Sequence, residues 1–419
     1  MSSIDTAPSN RFADAIELTQ DTLRRATAGL PAAVRFAMGY AIRIRRGTLA
    51  LTLPDGRRLV ARGAEPGPEA EMVIRDFAFA SRLATKGDLG FAEAFLRGEW
   101  DSPDPAGFLY FFCVNHEAVT RLMGHNPIVR ILQVYRHWRN KNTKAQARRN
   151  IIAHYDLGNS FYRAWLDPSM TYSSAYFGSG ATTLPDAQRA KYRHLAEQMG
   201  IKPGDRVLEI GCGWGGFAEV AATEFGAHVT GLTISNEQFD YATKRMADAG
   251  LSDRVVIKLQ DYRDETGVYD HVASIEMFEA VGKHYWRTYF DKVVSVLKPG
   301  GRAGLQVITI TERLWENYQR EIDFIRGYIF PGGMLPTVTH MHSLGKDAGL
   351  GVVADTSFGL DYARTLNEWC TRFGEAWPDL TNLGFDDRFR RLWLYYLAYC
   401  EAGFRSNQID VHQYVYAKA

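Results

Sequence analysis

An acid, Glu209, stands just before four glycines in VLEIGCGWGGFAEVAA, Val207 to Ala222. Val207, Leu208 and Ile210 suit a buried strand, and Phe217, Val220 and Ala221 suit the packed face of a helix. Between them, Gly211, Gly213, Gly215 and Gly216 let the backbone turn tightly and let a ligand come close. A strand, a glycine turn and a helix place a nucleotide-sized ligand at the carboxyl edge of a parallel sheet. Gly211, Gly213 and Gly216 also satisfy the dinucleotide pattern G-x-G-x-x-G, which is weak alone. A dinucleotide further needs an acid about 20 residues on, at the end of the second strand. That strand, AHVTGLTIS, ends in Thr233 and Ser235 instead, and no Gly-Lys-Ser/Thr marks a phosphate loop. The acid is Glu209, two residues before the first glycine, where it can meet the amino-acid or ribose end of a ligand without phosphates. NAD or FAD, and a purely structural turn, are the alternatives.

The elements that must hold these residues alternate from Lys202 onward. RVLEIG and HVTGLTIS read as the first two strands, and Asn236 to Ala249 as a helix capped by Ser235 and stopped by Gly250. VVIKLQDYRD and YDHVASIEMFEAVG carry two more strands. YWRTYFDKVVSVLKPGG is a helix, and RAGLQVITIT a fifth strand. This is the pattern of a doubly wound, Rossmann-like α/β sheet. Its strand ends make Glu209, Thr233, Ser235, Gln260, Asp261, Glu276, Glu279 and Gln306 the candidate site. Trp315 to Gly333 and Leu366 to Arg405 read as helices, and IDVHQYVYAK as an edge strand.

Upstream, Phe12 to Ala28 reads as a helix and Ile42 to Ala61 as a hairpin turning at Pro54-Asp55-Gly56. Pro66-Gly67-Pro68 reads as a turn, Met72 to Ile74 as a strand, and Asp76 to Leu83 and Gly90 to Leu96 as helices. Residues 1–120 form a small α+β domain on this reading. Residues 121–150 are a bridge with eight Lys or Arg, no Asp or Glu, and interleaved Ile, Leu, Tyr and Trp. It suits either a solvated linker helix or an interfacial helix for anionic lipid. Residues 151–419 are the third part, opening with the aromatic stretch Ile151 to Phe177.

The 419 residues carry a formal net charge of +1, so bulk charge argues for no nucleic-acid partner. The four cysteines, Cys113, Cys212, Cys370 and Cys400, show no paired spacing, so no metal site or disulfide framework is predicted. A reducing cytosol is the expected compartment. No apolar run is long enough to span a bilayer, so any lipid role is peripheral.

The E-x-G-x-G spacing of Glu209, Gly211 and Gly213 resembles the first motif of S-adenosylmethionine-dependent methyltransferases. HYDLGNSFYRAWLDPSMTYSSAYF, VLEIGCGWGGFAE, GLTISNEQ, LQDYRD, MFEAVG, YIFPGGMLP, DYARTLNEW and RFRRLWLYYLAYCEAGFR, in this order, resemble the cyclopropane-fatty-acid synthase family. The resemblance covers Ile151 to the C-terminus closely and the N-terminal part more loosely. It implies a peripheral enzyme at the cytoplasmic face of the membrane that transfers a methyl group from S-adenosylmethionine to a double bond of unsaturated phospholipid acyl chains. It places Tyr172, Ser173, Gly211, Gly213, Thr233, Gln238, Gln260 and Tyr262 on S-adenosylmethionine, with Asp261 at the adenine amino group and Glu209 as the motif acid. It leaves room for a homodimer, although no heptad or self-complementary patch is visible.

The resemblance also implies a bound bicarbonate as proton acceptor, held by Cys, Glu, His and Tyr. This chain keeps Glu279 and Tyr362 of that set. At the Cys and His positions it has Ser174 and Gln306, and neither supplies the titratable character of His. The proton-accepting role therefore shifts to Glu279, directly or through water. Glu276, where the family has glycine, adds a second carboxylate at the same strand end, and two close carboxylates raise the pKa of one of them. These departures favour a methylated unsaturated, methyl-branched product over a cyclopropane. A small-molecule N-methyltransferase and a non-catalytic lipid carrier are the competing readings.

Overall fold

The computed structural model describes residue 12, residues 14–116 and residues 157–419. The basic stretch 121–150 lies outside them. The chain forms two units, one from the N-terminal residues with Asp386–Ser406, the other from the remainder.

The N-terminal unit is built on a five-stranded sheet in the order β1-β3-β2-β4-β5. Its strands are β1 (Ile16–Glu17), β2 (Arg46–Thr52), β3 (Arg58–Arg62), β4 (Glu65–Ile74) and β5 (Trp100–Asp101). The hairpin expected over Ile42 to Ala61 is β2 paired antiparallel with β3. The helix expected over residues 12–28 is instead the short β1 and a single turn, Leu23–Ala26. Pro66-Gly67-Pro68 is no turn: it lies inside β4, where Gly47 and Gly67 let the two backbones approach too closely for a Cβ. The two expected helices after it both fall on Ala78–Leu96, separated by a kink at Gly87 with φ 57°.

The helix Asp387–Arg405 belongs to this unit, packing on the helices Ala78–Leu96 and Pro105–Val114. Arg391 fixes it. Its guanidinium donates to the carbonyls of Phe95 (2.5 Å) and Trp100 (2.9 Å), pairs with Asp101 and covers the Phe95 ring. Residues 151–419 are therefore not one block. The amphipathic pattern of this helix shows that it buries a face, but no local signal says against what.

The second unit holds a seven-stranded sheet in the order β11-β12-β10-β9-β6-β7-β8. The strands β6 (Arg206–Ile210), β7 (His228–Thr233), β8 (Val255–Leu259), β9 (Tyr269–Ile275) and β10 (Leu297–Ile310) are mutually parallel where they pair. These are the five strands read from the sequence, and the order reverses beside β6. β12 (Ile409–Lys418) is no edge strand. It lies between β10 and β11 (Leu350–Ser357), antiparallel to both. Six of its ten residues are consequently buried, Val411 to Tyr416. The helices Leu184–Met199, Gly216–Glu224, Asn236–Asp248 and Trp286–Val296 give the sheet its two apolar layers. The first is capped by Thr183 with Pro at its start and closed by a left-handed Gly200, the usual start and stop chemistry.

Candidate active site

β6 ends at Ile210, and the chain turns through Gly211, Gly213 and Gly215, all at positive φ, into the helix Gly216–Glu224. The glycines are required for different reasons. A Cβ on Gly211 would lie 2.7 Å from Cγ of Met277, and one on Gly216 the same distance from the Tyr192 hydroxyl. A Cβ on Gly213 would meet nothing within 4 Å. Gly213 therefore faces open space and forms a cradle in which a ligand can approach the backbone. Glu209 is buried beneath this turn. It accepts the backbone N–H of Ala218, and its Oε2 has no hydrogen-bond partner among the described residues. Burial pushes its pKa up to about 8.

The ends of β7 and β8 gather the other expected ligand residues. Thr233 donates to Gln238 Oε1 at 2.8 Å, and Ser235 caps the helix that carries Gln238. Gln260 donates its backbone N–H to the Thr233 carbonyl and its side chain to Glu265. Asp261 caps a short 3-10 turn, and both its oxygens are held by the Arg263 guanidinium at 2.7 and 2.8 Å. Its charge is thus matched within the chain. Tyr262 packs edge-on against Tyr289, and burial raises its pKa to about 12.

The reactive geometry is at the end of β9. Ile275 pairs with Gln306 on β10, and the next residue, Glu276, takes a left-handed φ of 51°. That conformation is costly for a residue with a Cβ and marks functional sites. The turn aims the Glu276 carboxylate at three donors. Its Oε1 accepts from the Ser174 backbone N–H (2.8 Å) and from Gln306 Nε2 (2.7 Å), and its Oε2 from the Tyr362 hydroxyl (2.7 Å). One short turn later, Glu279 accepts the N–H of Ile308 through Oε1, while Oε2 has no partner among the described residues. Burial, and then the neighbouring Glu276, hold Glu279 up at about 8. Burial also raises the Glu276 pKa, and Lys191, Tyr362, Ser174 and Gln306 offset only part of that rise. Ser174, Glu276, Glu279, Gln306 and Tyr362, scattered over nearly 200 positions of sequence, thus meet around one strand end.

Tyr172 and Ser173 lie on the loop that delivers Ser174. Ser173 accepts from Lys191 Nζ at 2.5 Å through its hydroxyl and from Gln188 Nε2 at 2.9 Å through its carbonyl. The Tyr172 ring sits 5.3–5.7 Å from those of Tyr162, Trp165 and Trp369, and Trp369 meets Tyr362 edge-on. The aromatic stretch after Ile151, so far as it is described, is therefore the wall of the site.

Three residues of the network were not expected. Lys191 is fully buried, which lowers its pKa to about 7 against the opposing pull of Glu276, Asp167 and Glu209. Gln413 on β12 donates to Gln306 Oε1 at 2.9 Å, and its own Oε1 meets His194 Nδ1 at 2.6 Å. Gln188 and Lys191 did leave a signal. They fall on the buried stripe Leu184, Ala187, Gln188, Lys191, Leu195, Met199, whose other members are apolar, and a polar residue on a core stripe needs a buried partner. Gln413 left none, because its strand was read as an edge.

Residues 142–414 match the family model described as mycolic acid cyclopropane synthetase. The chain is 39% identical over 376 residues to the tuberculostearic acid methyltransferase UfaA1 of Mycobacterium tuberculosis, covering 87% of each protein. It is 36% identical to the cyclopropane-fatty-acyl-phospholipid synthase of Escherichia coli, over 83% of this chain and 88% of that one. Among solved structures it resembles the cyclopropane synthase MmaA2 of M. tuberculosis, at 30% identity and a TM-score of 0.61, covering 65% of this chain and 98% of the other. Mycolic acid cyclopropane synthase CmaA1 complexed with SAH and CTAB is similar at 29% identity and a TM-score of 0.61, with 65% and 98% covered.

Proposed function

The chain belongs to the mycolic acid cyclopropane synthetase family of S-adenosylmethionine-dependent methyltransferases, and from that membership we propose that it methylates a carbon–carbon double bond of unsaturated phospholipid acyl chains. The observation that carries the proposal is the pair of carboxylates, Glu276 and Glu279, at the end of β9 beside an open glycine cradle.

The cradle fits S-adenosylmethionine. Gly213 offers space where a side chain would intrude, and Glu209 keeps an oxygen without a hydrogen-bond partner among the described residues. Gly211, Thr233, Gln238, Gln260, Asp261 and Tyr262 would hold the ligand along the strand ends, with Tyr172 and Ser173 closing over it. When bound, S-adenosylmethionine supplies an electrophilic methyl group. An alkene is a weak nucleophile, so the chain's task is alignment. The cluster of Tyr162, Trp165, Tyr172 and Trp369 excludes water and offers π faces to a carbocation on the acyl chain. A carboxylate then removes a proton.

Loss of a proton from a neighbouring carbon leaves a methylated unsaturated chain, and loss from the new methyl closes a cyclopropane. We assign the first outcome, because Ser174 and Gln306 stand where the family's proton-accepting centre has Cys and His. Relatives of both kinds, by name, lie at comparable identity. In the same proposal the N-terminal unit binds lipid, the basic stretch 121–150 meets anionic headgroups, and the protein works at the cytoplasmic face of the membrane, as a monomer or homodimer. No helix among the described residues is long and apolar enough to cross a bilayer.

The test is labelled S-adenosylmethionine with unsaturated phospholipid vesicles, followed by mass spectrometry of the released fatty acids. A methylated unsaturated acid is expected. A cyclopropane acid would refute the product assignment, and unlabelled lipid would refute the substrate.

A further inference from the structure

Resting on the acyl-chain reading above, we propose that Glu276 is a built-in carboxylate that takes the place of an exogenous anion as proton acceptor, so that the reaction does not depend on bicarbonate.

The donors that could hold a small anion at the end of β9 are already engaged. Glu276 takes the Ser174 N–H, the Gln306 amide and the Tyr362 hydroxyl, at 2.7–2.8 Å each. These come from three separate segments: the loop after Met170, β10, and the helix Gly359–Glu375. The amide is locked with its NH2 towards Glu276, because Gln306 Oε1 accepts from Gln413, which is itself fixed by His194 and the Lys191 carbonyl. Ser174 cannot serve a second anion with its hydroxyl, which donates to the Ala175 carbonyl. A bicarbonate would have to displace the Glu276 side chain from all three donors and then lie against two carboxyl groups. The residues present do not fit it.

They do fit a base. A carboxylate has about four acceptor sites, and three are filled here, leaving one on Oε2. Burial raises its pKa, and Lys191, Tyr362, Ser174 and Gln306 oppose that rise by favouring the ionised form. Among the described residues Glu279 accepts only backbone N–H groups, those of Ile308 and its own, and burial with the neighbouring Glu276 holds its pKa up at about 8. The left-handed φ of 51° is also explained, since a glycine would be relaxed at this position and only the carboxylate justifies the strain. In the step itself, a C–H bond next to the cationic carbon breaks. Its electron pair becomes the new C=C bond, and the proton goes to Glu276 Oε2. The carboxylic acid then returns the proton to solvent.

The experiment uses the full chain, unsaturated phospholipid vesicles and S-adenosylmethionine, in buffer stripped of carbon dioxide or supplemented with bicarbonate. The wild-type rate should be the same in both. Glu276→Gly frees the three donors and relaxes the backbone. Its rate should fall by about 10²–10⁴ and recover on adding formate or bicarbonate, with S-adenosylmethionine binding by calorimetry retained. Glu276→Gln, close to isosteric, should lose the rate without rescue while binding S-adenosylmethionine, which covers the case of a poorly folded glycine variant. A wild-type rate that collapses without bicarbonate, or a Glu276→Gln protein that keeps its rate, overturns the inference. If wild-type protein methylates no lipid under either condition, the acyl-chain reading falls, and this inference with it.

Discussion

The most direct probe of the strand-end network is Tyr362→Phe. The change deletes one oxygen, and with it the 2.7 Å hydrogen bond to Glu276 Oε2, while the ring can keep its edge-on contact with Trp369. A hydrogen bond to an ionised group contributes about 1.5–3 kcal/mol. That energy is withdrawn from the carboxylate and not from the protonated acid. At about 1.4 kcal/mol per pKa unit, the Glu276 pKa should rise by about 1–2 units. The sign follows from its role. A base must be ionised, so activity climbs with pH through the pKa of the group, and a raised pKa moves the acid limb to higher pH. The assay is the rate of lipid methylation as a function of pH at saturating S-adenosylmethionine, wild type against variant. The acid limb should move up by about 1–2 units, with a 10–100-fold loss below it and recovery above it. A uniform loss at every pH, with the limb unmoved, would refute the assignment of the base to the group that Tyr362 touches.

The two glycines of the cradle should separate binding from folding. Gly213→Ala places its methyl in open space and should weaken S-adenosylmethionine binding about tenfold or more by calorimetry, at a stability cost of only about 1 kcal/mol. Gly211→Ala drives its methyl into Met277 and should lower the melting temperature further. Glu279→Gln tests the buried acid. Because the folded pKa, about 8, lies above the ordinary carboxylate value, the wild type holds this contribution fully below that ordinary value and loses it as pH rises through 8. The variant should therefore have the flatter melting temperature against pH, and even one unit of residual shift is about 1.4 kcal/mol. Identical pH profiles would exclude a buried, protonated Glu279. Arg391→Leu leaves the carbonyls of Phe95 and Trp100 without their donor and should destabilise the N-terminal unit by about 2–3 kcal/mol, read as a lower unfolding transition.

Much of the doubly wound sheet was legible in the chain. Strand, glycine turn and helix signals are local, and VLEIGCGWGG states its turn in the residues that the turn requires. The five parallel strands and the helices after β7 and β9 stand where hydrophobic periodicity and caps put them. The errors fall where a long-range partner decides. IDVHQYVYAK is a strand by propensity, but its burial on both sides comes from β10 and β11. RFRRLWLYYLAYCEAGFR is an amphipathic helix by pattern, but Arg391, reaching carbonyls nearly 300 positions away, assigns it to the N-terminal unit. The turn residues Pro66 to Pro68 sit in an irregularity of β4 opposite Gly47, held there by pairing with β2 at Glu65 and from Glu69 onward.

The candidate site divides in the same way. The sequence alone located the glycine turn and the two carboxyls of the candidate site, because a glycine turn after a strand and two carboxyls at a strand end are each written within a few residues. The ordered motifs determined the family. Only the tertiary structure decided how differently the two acids are hydrogen-bonded. That depends on a serine N–H, an amide and a tyrosine hydroxyl from three distant segments converging on Glu276, and on none converging equally on Glu279. Protonation is set by the field and the hydrogen bonds at one point in space, and no stretch of sequence contains that point.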